Sequence, residues 1–320
     1  MSLRGRLSLI GAVAIVVAAC SGGGSTPAPT TAPTAAPTTA PSAAESTAPS
    51  QAAASPIAAA SATPIPGGLL DKVLKAGVLT VSTDPNYKPA SFKNPDGTFQ
   101  GFDIDVATEV AKRLGVKVQF VTPDWSLITA GSWSGRWDVS VGSMTITAQR
   151  QLVLDFSPPY YYTPAQMTAS KASGITTLDG LAGKTICAGA ATTYLDWLQG
   201  KKLDFGTLSP TTTPPAGIKT VSLKTDDLCP QTWAAGRNDF QGWLSAAPIV
   251  DAAIAANQPV VKVGDPVYFE PLAIAVDKSG PNDLDFMTAL KTIVDSMHQD
   301  GTLSQFSQKW FGADLTKGPS

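Results

Sequence analysis

Gly142-Ser143-Met144-Thr145-Ile146-Thr147-Ala148-Gln149-Arg150 decides how this chain is read, together with Asp155-Phe156-Ser157-Pro158-Pro159-Tyr160-Tyr161-Tyr162 just after it. The alternating run from Trp137 to Val141 predicts a strand leading into the first stretch. Thr147 is placed to cap a following helix, which puts Arg150 in that helix's first turn. Small hydroxyls, free N–H groups at a helix start and a guanidinium fork all favour a carboxylate partner. The segment therefore reads as a carboxylate clamp. A blander role is also open to Arg150, an ion pair with Asp155 on a solvated helix face.

Outward from this stretch, strand and helix patterns alternate in short cycles. Leu69 to Ala76 reads as a helix, Val78 to Ser82 as a strand, and Asn94-Pro95-Asp96-Gly97 as a turn. Ile104, Val106, Ala107, Val110, Ala111 and Leu114 form a helical stripe ended by Gly115, and Val116 to Val121 is the next strand. A second unit of the same kind starts near Leu178. It has strand signals at Lys184–Ala188 and Phe240–Leu244, and helix signals at Thr193–Leu198 and Ile249–Ala256. Such alternation predicts an α/β fold with mixed or parallel sheets covered by helices. About 250 residues of this kind exceed one typical core and suggest two lobes.

The N-terminal region carries a different message. Arg4 and Arg6 precede an apolar run from Leu7 to Ala19 that is too short to span a bilayer, and Val17-Ala18-Ala19-Cys20 follows. Residues 1–19 read as a lipoprotein signal peptide, with cleavage before Cys20 and lipidation of that cysteine. An ordinary signal peptide with an incidental Cys20 is the alternative. Residues 20–67 are almost wholly Ala, Pro, Thr, Ser and Gly, with Glu45 the only charge, and cannot offset their ordering entropy. They read as a disordered spacer holding a globular part off a membrane.

Composition narrows the partners. The net charge is −2 without a basic cluster, which argues against nucleic acid. With Cys20 lipidated, Cys187 and Cys229 remain as a pair in an exported chain, which favours a disulfide over two free thiols. His298 is the only histidine and no Cys-x-x-Cys occurs, so no metal or cofactor is expected.

The ordered motifs resemble the type-3 extracellular solute-binding proteins, the amino-acid receptors of ABC importers. The similarity begins at Leu79-Thr80-Val81-Ser82-Thr83-Asp84-Pro85-Asn86-Tyr87-Lys88-Pro89 and runs through Gly101-Phe102-Asp103-Ile104-Asp105-Val106. It continues through Gly183-Lys184-Thr185, Thr192-Thr193-Tyr194 and Pro271-Leu272-Ala273-Ile274-Ala275-Val276, and closes with Asp300-Gly301-Thr302-Leu303 and Lys309-Trp310-Phe311-Gly312. The resemblance implies a two-lobe, type II periplasmic-binding-protein-like fold with a two-segment hinge. Lobe 1 would comprise residues 68–162 and 270–320, and lobe 2 residues 163–269. It also implies a ligand cleft between the lobes; a monomer is expected, and since no other apolar run approaches membrane-spanning length, the lipidated cysteine would be the only membrane contact.

The resemblance carries roles residue by residue. Arg150 matches the arginine that grips a ligand carboxylate, Thr145 the residue beside it, and Ser143 one whose oxygen faces the ligand ammonium. Thr192, Thr193 and Tyr194 match the opposing jaw, although Thr193 with Asp196 has capping-box spacing that would use its hydroxyl locally. Asp84 and Tyr87 match positions at the side-chain end, and Trp125 an aromatic that packs on the ligand. The chain departs from the family at the second-lobe aspartate that pairs with the ligand ammonium, whose expected position falls on Leu244 or Ala246. Trp243 is left as an aromatic face for a delocalised cation, or as core. The function expected is a lipid-anchored, extracytoplasmic receptor passing an amino acid or related zwitterion to an ABC permease. A dehydratase-like enzyme of the same fold and a ligand sensor are the alternatives.

Overall fold

The computed structural model describes residues 62–319, so Cys20, the signal segment and most of the spacer lie outside the described residues. The chain opens with α1 (Leu69–Ala76), β1 (Val78–Ser82), β2 (Asn86–Tyr87), β3 (Ser91–Lys93) and β4 (Phe99–Gln100). Then follow α2 (Phe102–Leu114), β5 (Lys117–Val121), α3 (Trp125–Thr129), β6 (Val139–Thr145), β7 (Leu154–Phe156) and β8 (Tyr161–Ser170). The middle holds β9 (Thr185–Gly189), α4 (Thr193–Leu198), β10 (Lys219–Leu223), α5 (Leu228–Ala234), β11 (Gly242–Ala246), α6 (Ala247–Ala255) and β12 (Val260–Lys262). β13 (Tyr268–Asp277), α7 (Leu284–Gln299) and α8 (Thr302–Phe311) complete it.

The main sheet runs β10-β9-β11-β8-β13-β6-β1-β5, with β12 beside β8 and β7 beside β13. Pairing is parallel at both ends, β1 with β5 and β6, and β9 with β10 and β11. In the centre the long strands β8 and β13 pair antiparallel, Thr163 opposite Glu270. Two α/β units thus share a central antiparallel ribbon. The lobe crossings expected near residues 162–163 and 269–270 fall inside these two continuous strands.

Each unit has its own core. Leu79, Val81, Val106, Val110 and Leu114 pack with Phe286, Ile293 and Val294 of α7 in the first. Full burial of each such aliphatic side chain contributes about 1.5–3 kcal/mol. Gly115 ends α2 at φ 76°, where a residue with a side chain would be strained. Trp197, Trp233, Phe240 and Trp243 fill the second core, and Cys187 is bonded to Cys229 within it.

One irregularity prepares the site. Where β6 faces β13, Ser140 lies opposite Ala275 and Met144 opposite Ala273, so three β6 residues stand against Ile274 alone. The surplus chain bulges outward at Gly142 and Ser143. Ser143 sits there at φ 55°, a strained conformation for a residue with a side chain.

Candidate functional site

A cavity opens between the β6 bulge and α3 on one side and the turns after β9 and β10 on the other. Asp84, Tyr87, Trp125, Ser143, Thr145, Arg150, Thr192, Thr193 and Tyr194 all line it. Gly189, Lys224, Asp226 and Glu270 line it too, and the sequence reading gave none of these a binding role.

The Arg150 end is built locally. Thr147 caps as expected, its Oγ1 accepting from the Arg150 N–H at 3.1 Å. Only a single 3-10 turn follows, Arg150–Leu152, because the chain enters β7 at Leu154. The guanidinium donates from Nη1 to the Thr145 carbonyl at 3.0 Å and from Nη2 to the Ala191 carbonyl of the facing unit at 3.2 Å. Asp155 is not its partner and lies 3.5 Å from Lys278. Among the described residues Arg150 therefore makes no ion pair, although it is buried. Burial lowers its pKa, and the charge of Glu270 opposes that shift.

Glu270 sits behind this clamp on β13. Its Oε1 accepts from Thr145 Oγ1 at 3.0 Å and from Thr193 Oγ1, a hydroxyl from each side of the cavity. Burial raises its pKa, against the pull of those hydroxyls and of Arg150. The capping expectation for Thr193 is corrected by one residue: Thr192 caps α4, accepting from the Leu195 N–H at 3.2 Å. The Thr193 hydroxyl is thereby released toward Glu270. Trp125 reaches across, its indole N–H donating to Ala191 O at 3.1 Å, with the Arg150 guanidinium 5.6 Å from its ring.

The acids lie around the rest of the cavity. Asp84 accepts from the Asn86 N–H at 2.7 Å, so its turn-forming and cavity-lining roles coexist. Burial pushes its pKa to about 6. Ser143 gives its proton to Asp103 at 2.8 Å and takes one from Tyr161 at 2.6 Å, so its oxygen is already engaged. Asp103, also bound by Tyr160 at 2.6 Å, is pushed to about 7 by burial.

An acid of the second unit does line the cavity, Asp226, from outside the expected position at Leu244 or Ala246. It projects from the β10–α5 turn and accepts from Gly189 N at 3.2 Å, Trp243 Nε1 at 3.1 Å and Ser245 Oγ. Burial raises its pKa to about 7. Strand alternation explains the rest: Trp243 and Ser245 point to the Asp226 side of β11, and Leu244 and Ala246 to the other face, away from the cavity. Trp243 is fully buried core and offers its N–H to this acid, not its face to a ligand.

Comparison with known proteins identifies the family. The description "Bacterial extracellular solute-binding proteins, family 3" matches residues 79–313. The chain belongs to that family. It is 32% identical over 259 residues to the L-cystine-binding protein TcyJ of Escherichia coli, covering 78% of this chain and 88% of that one. Over 242 residues it is 29% identical to the Escherichia coli lysine/arginine/ornithine-binding periplasmic protein, covering 72% of this chain and 86% of that one. A solved ancestral arginine-binding protein bound to arginine superposes with a TM-score of 0.63 at 29% identity, covering 74% of this chain and 99% of that one.

The family 3 fold is the type II periplasmic-binding architecture expected from the sequence. A cyclohexadienyl dehydratase of Pseudomonas aeruginosa is 36% identical, but over 91 residues that cover 28% of this chain. The relatives spanning most of the chain are amino-acid-binding proteins, and this chain is a binding protein and not an enzyme. The family works outside the cytoplasm, and no helix among the described residues is long and apolar enough to cross a membrane.

Proposed function

We propose that this family 3 protein captures a small solute bearing a carboxylate and an amine, an amino acid or related zwitterion, and passes it to an ABC permease. Residues 68–162 with 270–320 form one jaw and residues 163–269 the other, hinged where β8 and β13 cross between them. Cys20 is the lipid anchor, residues 20–67 are the tether, and the receptor acts as a monomer. The observation that carries this reading is Arg150: a buried guanidinium at the cavity wall that meets carbonyl oxygens and no carboxylate among the described residues.

A ligand carboxylate would complete that site. Arg150 bridges to Ala191 of the opposite jaw, and Glu270 binds a hydroxyl from each jaw, so the contacts are whole only when the jaws are shut. Ligand then favours closure by its differential affinity for the shut state. Trp125, Tyr87 and Tyr194 wall the ligand body, and Asp84 faces its side-chain end.

Thermal unfolding and calorimetry of the full chain with cystine, lysine, arginine, ornithine and betaine-type zwitterions test the proposal. A true ligand at a hundred times its Kd adds about 2.7 kcal/mol of stability. A panel in which no carboxylate-bearing solute binds overturns it. The anchor has its own test: Cys20→Ala expressed in a bacterial host should leave the membrane fraction, and retention there refutes lipidation.

A further inference from the structure

We infer that Glu270 competes with the ligand inside the cavity. Its carboxylate holds the two hydroxyls that a ligand carboxylate on Arg150 would meet, and it releases them by taking a proton from solvent as the ligand binds. The inference rests on the proposed capture of a carboxylate-bearing solute and adds a residue that sets how well the carboxylate is received.

Arg150, Thr145, Thr193 and Glu270 all line the cavity, and the two charges are tied to one residue. Arg150 donates to the Thr145 carbonyl at 3.0 Å, and the Thr145 hydroxyl donates to Glu270 at 3.0 Å. Arg150 otherwise bonds only the Ala191 carbonyl, which leaves the rest of its N–H fork for a carboxylate. A carboxylate seated there comes against the hydroxyls of Thr145 and Thr193, both buried and both donating to one oxygen of Glu270. A hydroxyl has a single proton to give, so the ligand and Glu270 cannot both hold it. Two carboxylates at one site also repel, and the one more easily neutralised takes a proton. Glu270 is that one, because burial already raises its pKa against the pull of the hydroxyls and of Arg150, whereas the ligand's carboxylate lies on the guanidinium. Either carboxylate bridges the jaws, so closure is kept when one replaces the other.

The central strand pair offers the displaced carboxyl another partner. Thr163 stands directly opposite Glu270 across β8 and β13, on the same face of the sheet. Its hydroxyl is buried and has no hydrogen-bond partner among the described residues. A buried hydroxyl left unmet is costly, and a protonated Glu270 turned away from Thr145 and Thr193 meets it. The other titratable groups around Glu270 are Tyr87, Tyr161, Tyr194 and Tyr268, which burial holds well above their ordinary pKa. Arg150 is therefore the charge that faces it.

The test pairs each amino acid with its decarboxylated amine: L-arginine with agmatine, L-lysine with cadaverine, L-ornithine with putrescine, and L-cystine with cystamine. The amine alone carries the response of Asp84 and Asp226 to a cation, so the difference within a pair isolates the carboxylate. Calorimetry at about pH 8, in two buffers of different ionisation enthalpy, should show the amino acid taking up protons relative to its amine. In Glu270→Gln, whose amide keeps the shape without the charge, that uptake should vanish. The amino acid should then bind about 10-fold tighter than to wild type, and its amine no tighter. Loss of a merely structural brace would weaken both. If Glu270→Gln does not fold, Thr163→Val replaces it, and the amino acid alone should weaken by about 5-fold as the second partner is lost. No extra proton uptake, unchanged or weaker amino-acid binding in Glu270→Gln, or equal shifts within a pair in either variant overturns the competition while leaving the Arg150 clamp standing. A wild-type chain that binds none of these amino acids removes the proposed capture and the competition with it.

Discussion

The first jaw presents Arg150 from one unbroken stretch of chain, whereas the second presents Asp226 from a turn held by residues 17 and 19 positions further on. In the first, β6, its bulge, the Thr147 cap and the guanidinium follow within a dozen residues. In the second, the charge and its donors come from three separate segments. A locally built grip tolerates little change within its own stretch. A dispersed one depends on the core that brings its parts together. The variants below probe that contrast.

Arg150 should give the largest effect. Arg150→Ala removes the only cation at its end of the cavity among the described lining residues, and ligand affinity should fall by at least about 100-fold, as truncating one side of a buried charge pair costs about 2–5 kcal/mol. Arg150→Lys should fare nearly as badly, because an ammonium cannot serve both carbonyls and a carboxylate with the guanidinium's planar fork. Circular dichroism should show both variants folded. Wild-type affinity in both, measured by calorimetry, sinks the clamp.

The same contrast explains what could be read without coordinates. The Arg150 jaw was legible because a strand, a cap and a cation in sequence leave few other arrangements, and the α2 stripe and Gly115 stop were legible through periodicity alone. Asp226 was not. Its stretch, Lys224-Thr225-Asp226-Asp227, looks like a solvated turn, and nothing local says that Trp243 and Ser245 will converge on one of its two acids. A period-two reading of β11 would have helped, since it sends Leu244 and Ala246 away from the face that Ser245 occupies. Glu270 reads from the sequence as an acid near the cleft, but its hold on two hydroxyls was not legible for a similar reason: its partners Thr145 and Thr193 lie 125 and 77 residues distant. The Thr192 cap was missed by one position, and that shift decides whether the Thr193 hydroxyl serves the helix or the cavity.

The second jaw's dependence on its core can be measured through the disulfide. Cys229 follows Asp226 by three residues and is bonded to Cys187 on β9, the strand whose Gly189 also holds Asp226. Closing a loop between positions 42 apart should stabilise the chain by about 3–4 kcal/mol on the chain-entropy account. Urea unfolding of the oxidised and reduced protein reads this directly. Reduction should also weaken ligand binding more than it perturbs Arg150, and a reduced protein with unchanged stability and affinity would mean that the segment is held by packing alone.

pH separates the buried acids from Arg150. Asp226 and Asp103 are raised to about 7 and Asp84 to about 6 by burial, while Arg150 keeps its charge across this range. Folded-state values above the unfolded ones mean that the folded chain binds more protons. That contribution to stability is complete below about pH 4 and is lost as pH rises through 6 to 7. The empty protein should therefore gain melting temperature as pH falls from 8 toward 5, so far as these groups govern. Binding of a cationic ligand should run the other way, weakening over the same interval as Asp226 and Asp84 become protonated. Lys224 and Asp227 are the other charged neighbours of this end. Affinity that is flat from pH 8 to 5 would show that the ligand's cation meets none of these acids.

The smallest effect belongs to the contact that joins the jaws at their rim. Lys224 and Asp124 meet across the cleft at 2.7 Å, with side chains 69% and 54% exposed. On the proposed closure such a pair forms only when the jaws meet, so it would add to closure and not to folding of either jaw. Its exposure limits the gain: solvent and salt screen it, and two long side chains lose freedom to hold it, so it is worth about 0.2–1 kcal/mol. Lys224→Ala should accordingly weaken ligand binding by no more than about 5-fold, with the double variant Lys224→Ala/Asp124→Ala no worse than either single change. Raising the salt concentration should erase the difference from wild type. A loss as deep as that of Arg150→Ala would mean that Lys224, which lines the cavity, touches the ligand directly, and Arg150 would then not be its sole cationic grip.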